Sequence, residues 1–206
     1  MSEFLGPIHF LVYGKVQKEE DMVEQILDLA KENGWNLGLK EEVDKQVGVI
    51  ERAPLDTVID TDNIHAWLQV QVSLVESRFA YVVSKLLLDD KDRKDLLLKV
   101  MTELGRENAK EIDNIESINP EDVYLTINKI FLDGMPCDRA NEIIEKEEEN
   151  IVWRLRIDVH EEYWNHGVSV EIYHELRKAW LDGYVENSPV ELKQLNANTY
   201  QLMRRR

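Results

Sequence analysis

Polar side chains on one predicted helix, residues 63–88, are the groups in this sequence best placed to do chemistry. His65, Gln69 and Glu76 stand at positions i, i+4 and i+11, so they lie along one stripe of an α-helix. The stripe predicts either the polar wall of a ligand pocket or a set of core polar groups that find partners elsewhere in the fold. His65 and Glu76 lie ~16 Å apart along the helix axis, because an α-helix rises about 1.5 Å per residue. One metal ion therefore cannot bind both side chains.

Two more histidines are candidate ligands. His9 falls in the first turn of a predicted helix over residues 7–33, as His65 does in its own helix. The positive end of a helix dipole favours neutral imidazole, which can bind a divalent metal or act as a base. The connection between the two helices is long enough for them to run parallel, with both histidines at one end. His160 ends a predicted strand, beside the titratable and aromatic segment 161–164.

Cys137 is the single cysteine, and it follows Gly134-Met135-Pro136 at a predicted helix start. A thiol near a helix N-terminus has a lowered pKa, so with a histidine nearby it would be a nucleophile or a metal ligand. The alternative is a cysteine that only fills space in the core. One cysteine cannot form an internal disulfide, which indicates either a reducing compartment or a chain that needs no disulfides, and a cytoplasmic protein is the default prediction.

Several established motifs are absent from the sequence. Glu171 and His174 have the Glu-x-x-His spacing of di-iron bundles, but no second copy exists, and their helical phase predicts an exposed surface. The sequence has no glycine-rich nucleotide loop, no Gly-x-Ser-x-Gly, no His-Glu-x-x-His and no Cys-x-x-Cys. Nucleotide-dependent and zincin-type mechanisms therefore lose most of their support.

Charge excludes further classes of protein. The 206 residues include 41 Asp and Glu against 25 Lys and Arg, a net charge of −16, so neither nucleic acid nor an anionic membrane is expected as a partner. The longest apolar stretch, 64–88, carries too many polar groups to span a bilayer, and the N-terminus lacks a signal-peptide pattern. Residues 151–206 carry equal numbers of acidic and basic side chains. An anionic small molecule is therefore compatible with Arg154 and Arg156.

Apolar periodicity predicts a mainly helical N-terminal region. The predicted helices cover residues 7–33, 63–88, 89–105, 119–133 and an acidic segment 138–150, with a long connection over 35–61 that holds one short element at 41–49.

The spacing of apolar residues changes to every second position over residues 152–160, where polar residues alternate with Trp153, Leu155, Ile157 and Val159. This alternation predicts a strand, although a helical stripe through Trp153, Ile157 and His160 remains an alternative. A helix over 168–184 and a β-hairpin formed by 190–195 and 200–203 complete the chain.

These elements predict an α+β fold that is mainly α, with a helical N-terminal two-thirds around a central buried helix (63–88) and a small C-terminal antiparallel strand–helix–hairpin unit. The chain is expected to form a single compact unit over 1–206, or a helical region over 1–137 beside a small α+β region over 138–206.

The functional prediction is a soluble protein that binds a small ligand or a divalent metal, with or without catalysis. The alternative is a non-catalytic interaction or regulatory module that uses an acidic helical surface, and a homo-oligomer is compatible with either. The predicted pocket residues are His9, His65, Gln69, Glu76, Cys137 and His160.

Overall fold

A computed structural model describes residues 5–112, 114–164 and 167–205, and it confirms the α+β, mainly α fold class. Within these residues, no helix combines the length and the apolar character needed to cross a membrane. The elements are α1 Pro7–Glu32, α2 Leu39–Gln46, α3 Leu55–Val58, α4 Ile64–Asp89, α5 Lys94–Ala109, α6 Pro120–Ile130, β1 Asn141–Glu147, β2 Asn150–Leu155, α7 Glu161–Trp164, α8 Glu171–Val185, β3 Val190–Asn196 and β4 Thr199–Arg204.

The two longest helices, α1 and α4, lie side by side and run parallel. Contacts follow the same order along both, because His9 meets His65, Tyr13 meets Trp67, and further along Glu20 binds Arg78. Asn63 begins α4 by accepting a hydrogen bond from the backbone of Ala66. Helix α4 buries residues on most of its circumference and packs on α1, α2 and α7, as predicted for the central helix.

A four-stranded antiparallel sheet, in the order β1-β2-β4-β3, packs against α6 and α8. The alternating residues Ile151, Trp153 and Leu155 face this core, and Trp153 stacks on its cross-strand neighbour Tyr200 with 5.4 Å between ring centres. The strand prediction is therefore right for residues 152–155, and the helical alternative is wrong there. The strand ends at Leu155, however, so His160 lies five residues beyond it, just before α7.

The acidic helix predicted over 138–150 is wrong, because Asn141–Glu147 forms the edge strand β1. Glutamate and lysine favour helices only weakly, and backbone pairing with β2 outweighs that preference. Arg154 of β2 binds Glu142 of β1 at 2.6 Å, and most of the other β1 side chains are exposed to solvent. This acidic segment is therefore a strand at the edge of the sheet and not a helical face.

Helix α5 continues past Gly105, which was predicted to end it. The glycine instead allows close contact with α8, since a Cβ atom at Gly105 would lie 2.0 Å from the carbonyl oxygen of Trp180. Gly183 on α8 allows the same close approach from the other side, because a Cβ atom at Gly183 would lie 2.1 Å from the carbonyl oxygen of Thr102 on α5. This close contact joins the C-terminal helix to the helical N-terminal region.

Candidate functional site

The centre of the candidate site is a buried pair formed by Glu76 and His160. Helix α4 carries Glu76, and the backbone before α7 places the imidazole beside it, with 2.8 Å between His160 Nδ1 and Glu76 Oε1. Both side chains are 1% exposed. Burial alone would lower the pKa of His160, but electrostatic attraction from Glu76 and Asp133 raises it to about 10. The imidazole is therefore positively charged at neutral pH.

Asp133 and Arg177 extend the pair into a buried charge network. The Arg177 guanidinium, on α8, donates to both carboxylate oxygens of Asp133, and His160 Nε2 lies 3.7 Å from Asp133 Oδ1. Asn141 at the start of β1 donates to Asp133 Oδ2 at 2.6 Å. Burial opposes ionisation of Asp133, but Arg177 and His160 hold its pKa far below the ordinary value.

Glu19 supplies a third carboxyl group to this interior. It lies on the buried stripe of α1, where burial and then repulsion from Glu76 raise its pKa well above the ordinary value. The cations His160 and Arg177 thus face the carboxylates of Glu76 and Asp133, while burial favours the neutral form of Glu19. The Tyr173 ring stacks on His160, with ring centres 3.8 Å apart, and covers the imidazole with apolar surface.

A cleft of about 750 Å³ opens beside Glu76, and we call it the first cleft. Its walls come from α4, from the turn after α6 and from residues 157–163. Glu76 Oε2 is buried in this wall and has no hydrogen-bond partner in the described structure. Burial and Glu162 raise the pKa of Tyr163 to about 12, so its hydroxyl stays protonated and bonds to Ser73 at 3.0 Å. The acidic side chains in the walls, besides Glu76, are Asp138, Asp158, Glu161 and Glu162.

The structure brings together only some of the predicted pocket residues. Gln69 and Glu76 line the first cleft, and His160 lies behind Glu76. His9 and His65 instead meet at the shared end of α1 and α4, where their ring centres are 5.5 Å apart. The backbone N–H of Gly6 donates to His9 Nδ1, so this ring carries its hydrogen on Nε2.

Cys137 is exposed on the turn between α6 and β1, and its sulfur lies 3.9 Å from Asp138 Oδ1. No helix begins there, so the basis for predicting an activated thiol is lost. Across the described ranges 5–112, 114–164 and 167–205, no three His, Cys, Asp or Glu side chains are arranged to hold a metal ion.

Three residues of the network, Glu19, Asp133 and Arg177, were not recognised in the sequence. Glu19 was detectable, because a carboxyl group stands on an apolar stripe between Val16 and Val23. Asp133 lies in a turn, where no periodic pattern of apolar residues could indicate that it is buried. His174 was predicted to be a surface residue, but it is partly buried and binds Asp158 at 2.7 Å.

Comparison with known proteins gives no guide to function, since the chain matches no protein-family model, no curated protein sequence and no solved structure.

Proposed function

We propose that the chain binds a small organic cation in the first cleft, and that Glu76 recognises the positive charge. The observation that carries the proposal is the unpartnered Oε2 atom of Glu76, buried in the cleft wall. A buried acceptor left without a donor costs about 1–3 kcal/mol. An ammonium or guanidinium N–H from a ligand would offset that cost with a charge-assisted hydrogen bond.

The charge of the cleft supports the same ligand class. Asp138, Asp158 and Glu162 stand in its walls, and no lysine, arginine or histidine lines the cleft within the described residues. Acidic groups around a low-dielectric cleft focus a negative potential that attracts cations. Of these three, Asp158 already forms a hydrogen bond with His174 at 2.7 Å.

The size and apolar surface of the cleft favour an organic molecule over a bare ion. Its volume falls within the range of about 300–1,000 Å³ that is typical of small-molecule sites. Val72, Ile157 and Val159 contribute apolar wall, and Gln69 adds an amide that can orient a polar group. A ligand with a positive nitrogen and several carbon atoms would use both kinds of surface.

Calorimetric titration of the full chain with putrescine tests the proposal, with uncharged 1,4-butanediol as the reference. We expect putrescine to bind through its ammonium N–H groups and butanediol not to bind. Ile157→Arg places a positive charge at an exposed position in the cleft wall, and should weaken cation binding by about tenfold or more. Leu195→Arg, the matched control, adds the same charge at an equally exposed hairpin position outside the cleft, and should bind normally.

Glu76→Gln provides the direct test and should abolish cation binding. Because this variant alters a buried ion pair, near-ultraviolet circular dichroism must first show that it folds. The comparison of Ile157→Arg with Leu195→Arg remains valid even if Glu76→Gln does not fold. Equal binding of putrescine and butanediol, or equal weakening by both arginine variants, would show that the proposal is wrong.

A further inference from the structure

A second, smaller cleft lies on the other side of the turn after α6. It encloses about 240 Å³ between α1, the end of α6 and residues 133–141. Gly134 borders both clefts, and the buried chain from Glu76 through His160 to Asp133 runs from the wall of the first cleft to the wall of the second. The second cleft differs from the first because basic side chains line it.

Lys15 and Arg139 are those basic side chains, and neither forms a hydrogen bond or an ion pair with any described residue. Lys15 is half-buried on α1, and burial lowers its pKa although Asp133 opposes the shift. Among the described residues of this wall Asp133 is the one carboxylate, and Arg177, Asn141 and His160 already surround it. The two cations are therefore available for an anion from outside the protein.

The second cleft also holds an unsatisfied acceptor. Asn141 Nδ2 donates to Asp133, which leaves Asn141 Oδ1 buried and without a donor in the described structure. This atom would accept a hydrogen bond from a hydroxyl or amino group. Leu11 and Val12 supply apolar surface beside it.

We propose that the second cleft binds a small hydroxy- or amino-carboxylate. The carboxylate would bind Lys15 and Arg139, and the neighbouring hydroxyl or amino group would donate to Asn141 Oδ1. The volume admits an acid of a few carbon atoms. This site is separate from the proposed cation site and does not depend on it.

The test is a titration of the ¹⁵N-labelled full chain with L-lactate, followed by amide chemical shifts. Propionate lacks the hydroxyl group of lactate, and 1,2-propanediol lacks the carboxylate. We expect lactate to shift the amides of residues 133–141 and to bind more tightly than either analogue. Lys15→Met and exposed Arg139→Ala should each weaken lactate binding by about tenfold or more.

Lys18→Met is the matched control. Lys18 lies about one helical turn after Lys15 on α1 and does not line the cleft, so this variant removes the same charge from outside the site. It should bind lactate as the wild type does. Equal weakening by both lysine variants would mean that overall charge attracts the anion, and the proposal would fail. It would also fail if propionate or propanediol bound as tightly as lactate, or if no cleft amide shifted. Putrescine binding to Lys15→Met tests the first cleft separately.

Discussion

Nδ1 of His160 lies 2.8 Å from Oε1 of Glu76, although 84 residues separate the two along the chain. Neither residue could bury its polar groups alone, since an unpaired charge in the interior carries a penalty of several kcal/mol. Each side chain therefore depends on the other, and the contact holds the segment before α7 against α4.

Glu76→Gln should lower the free energy of unfolding by about 3–5 kcal/mol, because it leaves the His160 imidazolium without its nearest counter-charge. Urea denaturation at pH 7 measures this change. Glu142→Gln is the control, since it breaks an ion pair with Arg154 in which both side chains are more than 40% exposed. That variant should lose less than about 1 kcal/mol. Similar losses in the two variants would contradict a charged, buried pair.

Glu19→Gln should make stability less dependent on pH. The raised pKa means that folded Glu19 keeps its proton above pH 4.5, its ordinary pKa, whereas Glu19 in the unfolded chain ionises there. The unfolded state gains free energy of ionisation as the pH rises, so this carboxyl group makes the wild type less stable at pH 8 than at pH 4.5. Glu19→Gln has no carboxyl group to ionise and so does not lose this stability. Its free energy of unfolding relative to the wild type should therefore rise from pH 4.5 to pH 8.

Urea denaturation at pH 4.5 and pH 8 measures the difference between the two chains. His160 also lowers stability as the pH rises from 6.5 through about 10, but it does so in both chains, so its contribution largely cancels. Exposed Glu32→Gln on the same helix removes the same charge and should leave the pH dependence unchanged. If Glu19→Gln gained nothing at pH 8, folding would not raise the pKa of Glu19.

The helices were predictable because each repeats apolar residues at the period of an α-helix. The bounds predicted for 7–33 and 63–88 agree with α1 and α4 to within a residue. The helix predicted for the acidic segment 138–150 was wrong because pairing between strands determines the structure of this segment. No local pattern in a glutamate-rich sequence indicates that pairing.

The candidate site was less predictable than the fold. Gln69 and Glu76 share a helix face, so their spacing alone placed them on one wall. Asp133 and Arg177 meet only because α8 packs back onto the helical region, through a contact between elements that are distant along the chain. Helical spacing within one element cannot report such a contact.

Arg78→Met should destabilise the chain more than a double variant that also removes its partner. Buried Arg78 donates to Glu20 at 2.8–3.1 Å and to Asp44 at 2.7 Å, and the loss of its charge strands the carboxylate of Glu20 in the interior. The single variant should lose about 3–5 kcal/mol. Glu20→Leu added to Arg78→Met should recover about 2 kcal/mol, since an apolar pair needs no counter-charge. Additive losses in a urea double-mutant cycle would contradict the coupling.

Gly105→Ala should destabilise the protein strongly, whereas Gly14→Ala should stabilise it. A methyl group at Gly105 would overlap the backbone of Trp180, so α5 and α8 would have to separate, at a cost of about 3 kcal/mol or more. Gly14 lies within α1, and its Cβ would meet no atom within 4 Å. Alanine there removes the backbone entropy penalty of a helical glycine, worth about 0.5–1 kcal/mol.

Thermal and urea unfolding of the two variants should therefore shift in opposite directions from the wild type. The comparison controls for the substitution itself, since both variants add one methyl group to a helix. Little or no destabilisation of Gly105→Ala would mean that α5 and α8 do not touch through their backbones. Arg177 would then lack the close helix contact that holds α8 in position beside Asp133.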